Sequence, residues 1–170
     1  VLSEPEIYVY AKWFLNRCGW TLVGGEPPGG TDALPRIEAK DPGFQKKGSR
    51  GSKKVDLIAH REGNFLLLEL KPTFHKSDVA KLDELVGSQK WRQAFWEACV
   101  ERNALQRSGV DPDRARDGIV SGDALVKGIG LGEYHDVPDE YVLVVVRGER
   151  DITAHIGPEC TLSERVFVKD

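Results

Sequence analysis

The 170-residue sequence predicts an α/β protein, a β-sheet with helices on its faces, and three observations carry the prediction. Apolar residues recur with helical period at the N-terminus. Two apolar strand-like runs meet at a four-residue turn in the middle of the chain. A second, longer helical period follows them directly.

The first helix begins at Ser3-Glu4-Pro5-Glu6, an N-cap serine, a proline tolerated in the first turn and a glutamate at the third helical position, together a capping box. Ile7, Tyr10, Ala11, Phe14 and Leu15 keep the period, and Cys18-Gly19 supplies the stop. Trp20–Val23 reads as a short strand. From Gly24 to Gly51 the chain is rich in Gly, Pro and charge without a sustained period, which predicts a long loop with at most one short element. Val55–His60 and Phe65–Lys71 then read as two strands of a hairpin closed by Arg61-Glu62-Gly63-Asn64. The second is almost continuously apolar, as expected of a strand buried on both faces. Helical spacing resumes from about Lys76 to Arg107, with a break signalled at Gly87-Ser88. Residues 111–138 are polar and turn-rich and read as an insertion, with Gly128–Gly132 as a turn. Tyr141–Val146 is a buried-type strand, and Arg165–Lys169 is a candidate last one.

At this length the chain fits a single domain, residues 1–170, with a core over about 3–108 plus the strand at 141–146. With 40% hydrophobic and 30% charged residues it has the composition of a soluble globular protein, and no apolar run approaches the roughly 18–20 residues of a membrane helix. The N-terminus lacks the pattern of a signal peptide, so a cytoplasmic, intracellular protein is expected. Cys18, Cys99 and Cys160 are far apart and odd in number, which suggests neither a disulfide framework nor a zinc site. The net charge of −3 hides an asymmetry: residues 36–54 carry seven basic side chains against Glu38 and Asp41, a net +5. A basic stripe on an acidic protein points to an anionic ligand. Lys40, Lys46, Lys47, Arg50, Lys53 and Lys54 are its candidate phosphate contacts, with a solvated loop as the alternative reading.

The chemistry-bearing pattern is Asp56 on one strand of the hairpin and Glu69-Leu70-Lys71 at the end of the other. Alternation puts Glu69 and Lys71 on one face, and an antiparallel neighbour brings Asp56 beside them. Two carboxylates converging at one place call for a cation, and a hard divalent ion such as Mg²⁺, with Mn²⁺ as substitute, suits them. A lysine beside them orients or helps deprotonate a water, or stabilises charge on a phosphate. A second triplet, Glu38-Ala39-Lys40, lacks a preceding apolar strand and a partner acid and serves as an internal decoy. A cross-strand salt bridge is the competing structural reading of the trio.

On VDLIAH (Val55–His60) and FLLLELK (Phe65–Lys71) the chain resembles the PD-(D/E)XK nucleases, across roughly residues 3–100. Val55 stands where the named motif has proline. The resemblance implies a restriction-endonuclease-like core, a central mixed β-sheet flanked by helices in the order α-β-β-β-α-β. It also implies metal ligation by Asp56, Glu69 and the Leu70 backbone carbonyl, with Lys71 as the catalytic lysine. Glu6, or Glu4, would match a glutamate that some members place near the metal, and Gln89 a polar residue on the following helix. The capping box and an exposed helical face are the competing readings of these two. The function expected is a Mg²⁺-dependent DNA endonuclease, with RNA as an alternative ligand and a homodimer as a plausible assembly. The alternative is a catalytically inactive nucleic-acid-binding or protein-interaction domain of the same fold.

Overall fold

In the computed structural model, which describes residues 1–30, 32–43 and 51–168, the hairpin at the centre of the sequence becomes the centre of a six-stranded sheet. The chain order is α1 (Glu4–Arg17), β1 (Thr21–Gly25), β2 (Glu38–Ala39), β3 (Lys53–Lys54), β4 (Leu57–Arg61), β5 (Asn64–Leu70), α2 (Lys76–Gly87), α3 (Gln89–Glu101), α4 (Ala104–Arg107), α5 (Pro112–Ser121), β6 (Leu125–Leu131), β7 (Val142–Gly148) and β8 (Asp151–Ile156). A 3₁₀ turn at Glu164–Phe167 follows them.

The sheet runs β1-β4-β5-β6-β7-β8 and is mixed: β5, β6 and β7 are parallel, and the other pairs are antiparallel. The tight β4–β5 turn works because Glu62 and Gly63 both take positive φ, the conformation a two-residue hairpin turn needs to match strand twist. Its register pairs Leu57 with Leu68 and Arg61 with Asn64. The unbroken apolar character of β5 follows from burial on both sides. Leu66, Leu68 and Leu70 pack with Ile7, Ala11 and Leu15 of α1, while Phe65 and Leu67 pack with Leu82, Leu85 and Phe95 of α2 and α3.

Three expectations are overturned. Residues 111–138 are no insertion, because they contain α5 and β6, and β6 lies between β5 and β7 inside the sheet. Gly128–Gly132 is correspondingly not a turn, since Gly128 and Gly130 are residues of β6 facing Leu68 and Leu70 across the ladder. A β-carbon at Gly128 would stand 2.9 Å from Leu68 Cδ1, so glycine there makes room for the leucines of β5. The C-terminal run is the 3₁₀ turn instead of a strand, and the last strand is β8, with Asp151 paired to Gly148 and Val142 to Ile156. The long loop also holds two short strands, β2 and β3, paired with each other. The break at Gly87-Ser88 separates α2 from α3, with Ser88 capping α3 by accepting from the Trp91 N–H. Among the described residues none of Cys18, Cys99 and Cys160 forms a disulfide, and no helix is long and apolar enough to cross a membrane.

Candidate active site

The β4–β5 ladder ends at Leu57 and Leu68, and the next residues on each strand are Asp56 and Glu69. Here side chains take over the hydrogen bonds that backbone carbonyls make elsewhere. The Asp56 N–H donates to Glu69 Oε2 at 2.8 Å, and the Leu70 N–H donates to Asp56 Oδ2 at 2.9 Å. Each carboxylate thus satisfies the other strand's amide, which holds the two carboxyls side by side. The alternation that points Leu68 and Leu70 at α1 points Glu69 and Lys71 at α2.

Glu69 is 1% exposed. Burial and then the neighbouring Asp56 charge push its pKa up to about 7, and burial likewise raises that of Asp56. A buried carboxylate and a half-buried one side by side cannot both ionise readily without a cation, and α2 supplies one: Lys81 forms an ion pair with Glu69 Oε1. Its ammonium also donates to the Lys54 carbonyl at 2.7 Å.

Lys71 sits at the same end of β5 with its Nζ 3.8 Å from Asp78 Oδ1. Burial works against its charge, but Asp78, Asp56, Glu4 and Glu69 more than offset this and hold its pKa above the ordinary lysine value. Lys71 is therefore a charged donor here and not a proton acceptor. Asp78, 6% exposed in the first turn of α2, keeps its other oxygen buried without a hydrogen-bond partner.

The structure thus brings together Asp56, Glu69, Leu70 and Lys71 and leaves two candidates elsewhere. Glu6 is bound into the capping box: its Oε1 accepts from the Ser3 N–H at 3.0 Å, and the Ser3 hydroxyl accepts from the Glu6 N–H. It is Glu4, two residues earlier on α1, whose charge reaches Lys71. Gln89 is exposed and lines a cavity of about 560 Å³ with Glu38, Lys40, Gln93 and Glu97, away from all three members of the trio. Of the basic stripe, Lys46, Lys47 and Arg50 lie outside the described residues. Lys53 is engaged by Glu84 at 3.3 Å and Lys54 by Glu26 at 3.7 Å, while Lys40 is exposed.

Lys81 and Asp78 escaped the sequence reading. A signal was present: Asp78 falls four residues before Leu82 and Lys81 four before Leu85, so both charges sit along the apolar stripe that α2 presents to the sheet.

The donor set fits a hard divalent ion of the Mg²⁺ kind, which is commonly held by one or two carboxylates with water completing its shell. The fit rests on the raised pKa of Glu69 and on the ammonium that Asp56 and Glu69 draw in from α2. Among the described residues no group of three or more His, Cys, Asp or Glu side chains is placed to hold a metal. No family model, curated protein or solved structure matches the chain.

Proposed function

We propose that the chain is a metal-dependent deoxyribonuclease of restriction-endonuclease-like fold, cutting phosphodiester bonds at the Asp56/Glu69/Lys71 site. The observation that carries the proposal is the convergence of the buried Glu69 and half-buried Asp56 carboxylates, each accepting from the other strand's amide, with a charged lysine beside them.

Asp56 and Glu69, with the Leu70 carbonyl, would hold Mg²⁺, which lowers the pKa of a bound water and neutralises phosphate charge. The protein's own residues supply the rest. The paired strands fix both carboxylates on rigid backbone, so their separation does not depend on loop motion. Glu69 must shed its proton to act as a ligand, which makes loading more favourable as pH rises through about 7. Lys71, kept charged by its acidic neighbours and held at its tip by Asp78, stabilises negative charge developing on the scissile phosphate. The basic stripe of residues 36–54 supplies backbone contacts to DNA, or to RNA.

The test is incubation of the protein with supercoiled plasmid, linear duplex, single strands, branched junctions and RNA, each with Mg²⁺ or Mn²⁺. Cleavage that requires the metal is expected; absence of cleavage on every substrate, with Mn²⁺ binding also absent by calorimetry, rejects the proposal. One observation favours a second reading, a non-catalytic binding domain: the Lys81–Glu69 ion pair satisfies the acidic pair without any metal. That reading expects nucleic-acid or protein binding, no calorimetric metal signal and no cleavage.

A further inference from the structure

The site has two ammonium groups, and they are held in different ways. Lys71 projects from the end of β5, in the centre of the sheet, and Asp78 flanks its tip. Lys81 approaches from α2 on a four-carbon stem that is 29% exposed, and its ammonium touches Glu69 and the Lys54 carbonyl. Of all the cations nearby, Lys81 exerts the largest attraction on Asp56 as well. It is therefore in contact with Glu69 and within electrostatic reach of Asp56, where a bound cation would draw its own attraction. Lysine's compact charge is strongly hydrated and its stem flexible, so withdrawal into solvent costs the protein little packing.

We infer that Lys81 is an internal counter-ion: it occupies the Asp56/Glu69 pair in the metal-free protein and is displaced to solvent when a divalent cation binds. This rests on the reading of that pair as a cation site and adds its regulation. A divalent ion and an ammonium cannot share a buried carboxylate at contact distance without strong repulsion, so metal must compete with Lys81. The device keeps two desolvated acids neutralised before loading and sets the threshold at which metal enters.

Mn²⁺ titration by calorimetry of the full chain tests it. Lys81→Gln should bind Mn²⁺ roughly tenfold or more tightly than the unsubstituted protein, and Lys81→Arg should stay close to the original affinity. Equal or weaker binding by Lys81→Gln, where the unsubstituted protein does bind, overturns the inference and leaves the cation-site reading standing. No binding by either protein removes that reading and the inference with it. A second measurement needs no variant: amine-reactive labelling followed by mass spectrometry, with and without Mn²⁺. Modification of Lys81 should rise on adding metal, while Lys127, paired to Asp83 at 2.8 Å and Glu140 at 3.3 Å, stays constant. Unchanged or falling Lys81 reactivity in protein shown to bind Mn²⁺ overturns the inference even where Lys81→Gln fails to fold.

Discussion

The chain carries the Glu-x-Lys triplet twice, and the two copies end in opposite environments. Glu38 and Ala39 form β2, a two-residue strand that Lys40 follows and whose partner is β3, with Glu38 opposite Lys54. Its middle residue is buried, but Glu38 is only half-buried and Lys40 exposed, on the wall of an open cavity. Glu69-Leu70-Lys71 ends β5, which is paired on both edges and covered on both faces. Both triplets place their first two residues at the end of a strand, so strand conformation alone does not distinguish them. Depth does: only the second has its glutamate desolvated, and only there does the register place another carboxylate directly opposite. A short ribbon leaves a carboxylate in water, where it gains little from any cation. A sheet centre makes it demand one.

Substitution breaks this comparison most sharply. Asp56→Ala and Glu69→Ala are expected to reduce DNA cleavage to background, and Lys71→Ala to slow it by on the order of 10²- to 10³-fold. Glu38→Ala and Lys40→Ala should leave the rate per bound substrate unchanged. Comparable losses in both triplets would show that the depth argument is wrong. Circular dichroism of each variant confirms that folding is retained.

The next effect is on stability against pH, measured by denaturant unfolding in a chelator. Glu69 has a folded-state pKa of about 7 against an ordinary 4.5. The folded protein thus holds this proton more tightly than the unfolded chain. Its contribution is fully present below about 4.5 and is lost as pH rises to about 7, a window worth up to about 3 kcal/mol and shared with the coupled Asp56. Glu69→Gln should remove that slope, and Glu38→Gln should leave it in place. Burial lowers the pKa of His60, which destabilises the fold in the opposite direction as pH falls below the histidine range, so the difference between unsubstituted protein and Glu69→Gln isolates the carboxyl. A slope unaltered by Glu69→Gln would rule out a shifted Glu69.

Glycines sharpen the same contrast more gently. A β-carbon on Gly130 would collide with Leu70 Cδ2, whereas one on Gly30, in the loop leading toward β2, meets nothing within 4 Å. Gly130→Ala should cost about 1–3 kcal/mol of unfolding free energy by overpacking β5 at the residue between Glu69 and Lys71. Gly30→Ala should be near neutral. Equal effects would mean that β6 does not press on the end of β5.

Those glycines also explain why part of the fold was hidden in the sequence. The hairpin was legible because its apolar strands and tight turn are local, and α1 because its capping box and period are local too. β6 was not, since GIGLG owes its strand conformation to leucines sixty residues earlier in the chain that need the space. The expected strand at 165–169 failed in the other direction: alternating Val-Phe-Val reads as a strand, yet Phe167 stacks on Trp20 and Phe14, and Lys169 lies outside the described residues. In the site, Asp56, Glu69 and Lys71 were readable because strand periodicity alone fixes which faces they share. Lys81 and Asp78 depend on how α2 packs over the sheet, a distance no single segment encodes.

The smallest expected effect separates Glu6 from Glu4, neighbours on α1 for which the sequence left two roles open. Glu6 closes the capping box with Ser3, so its contribution belongs to helix stability. Glu4 lies within electrostatic reach of Lys71 and helps to hold its pKa up. Ser3→Ala should lower unfolding free energy by about 1 kcal/mol, and Glu6→Gln should lower the melting temperature in the same direction, both without changing kcat. Glu4→Gln should do the reverse, leaving the melting temperature nearly intact while weakening the field that keeps Lys71 charged, so that the alkaline limb of the activity profile moves to lower pH. An alkaline limb shifted by Glu6→Gln and untouched by Glu4→Gln would exchange the two assignments.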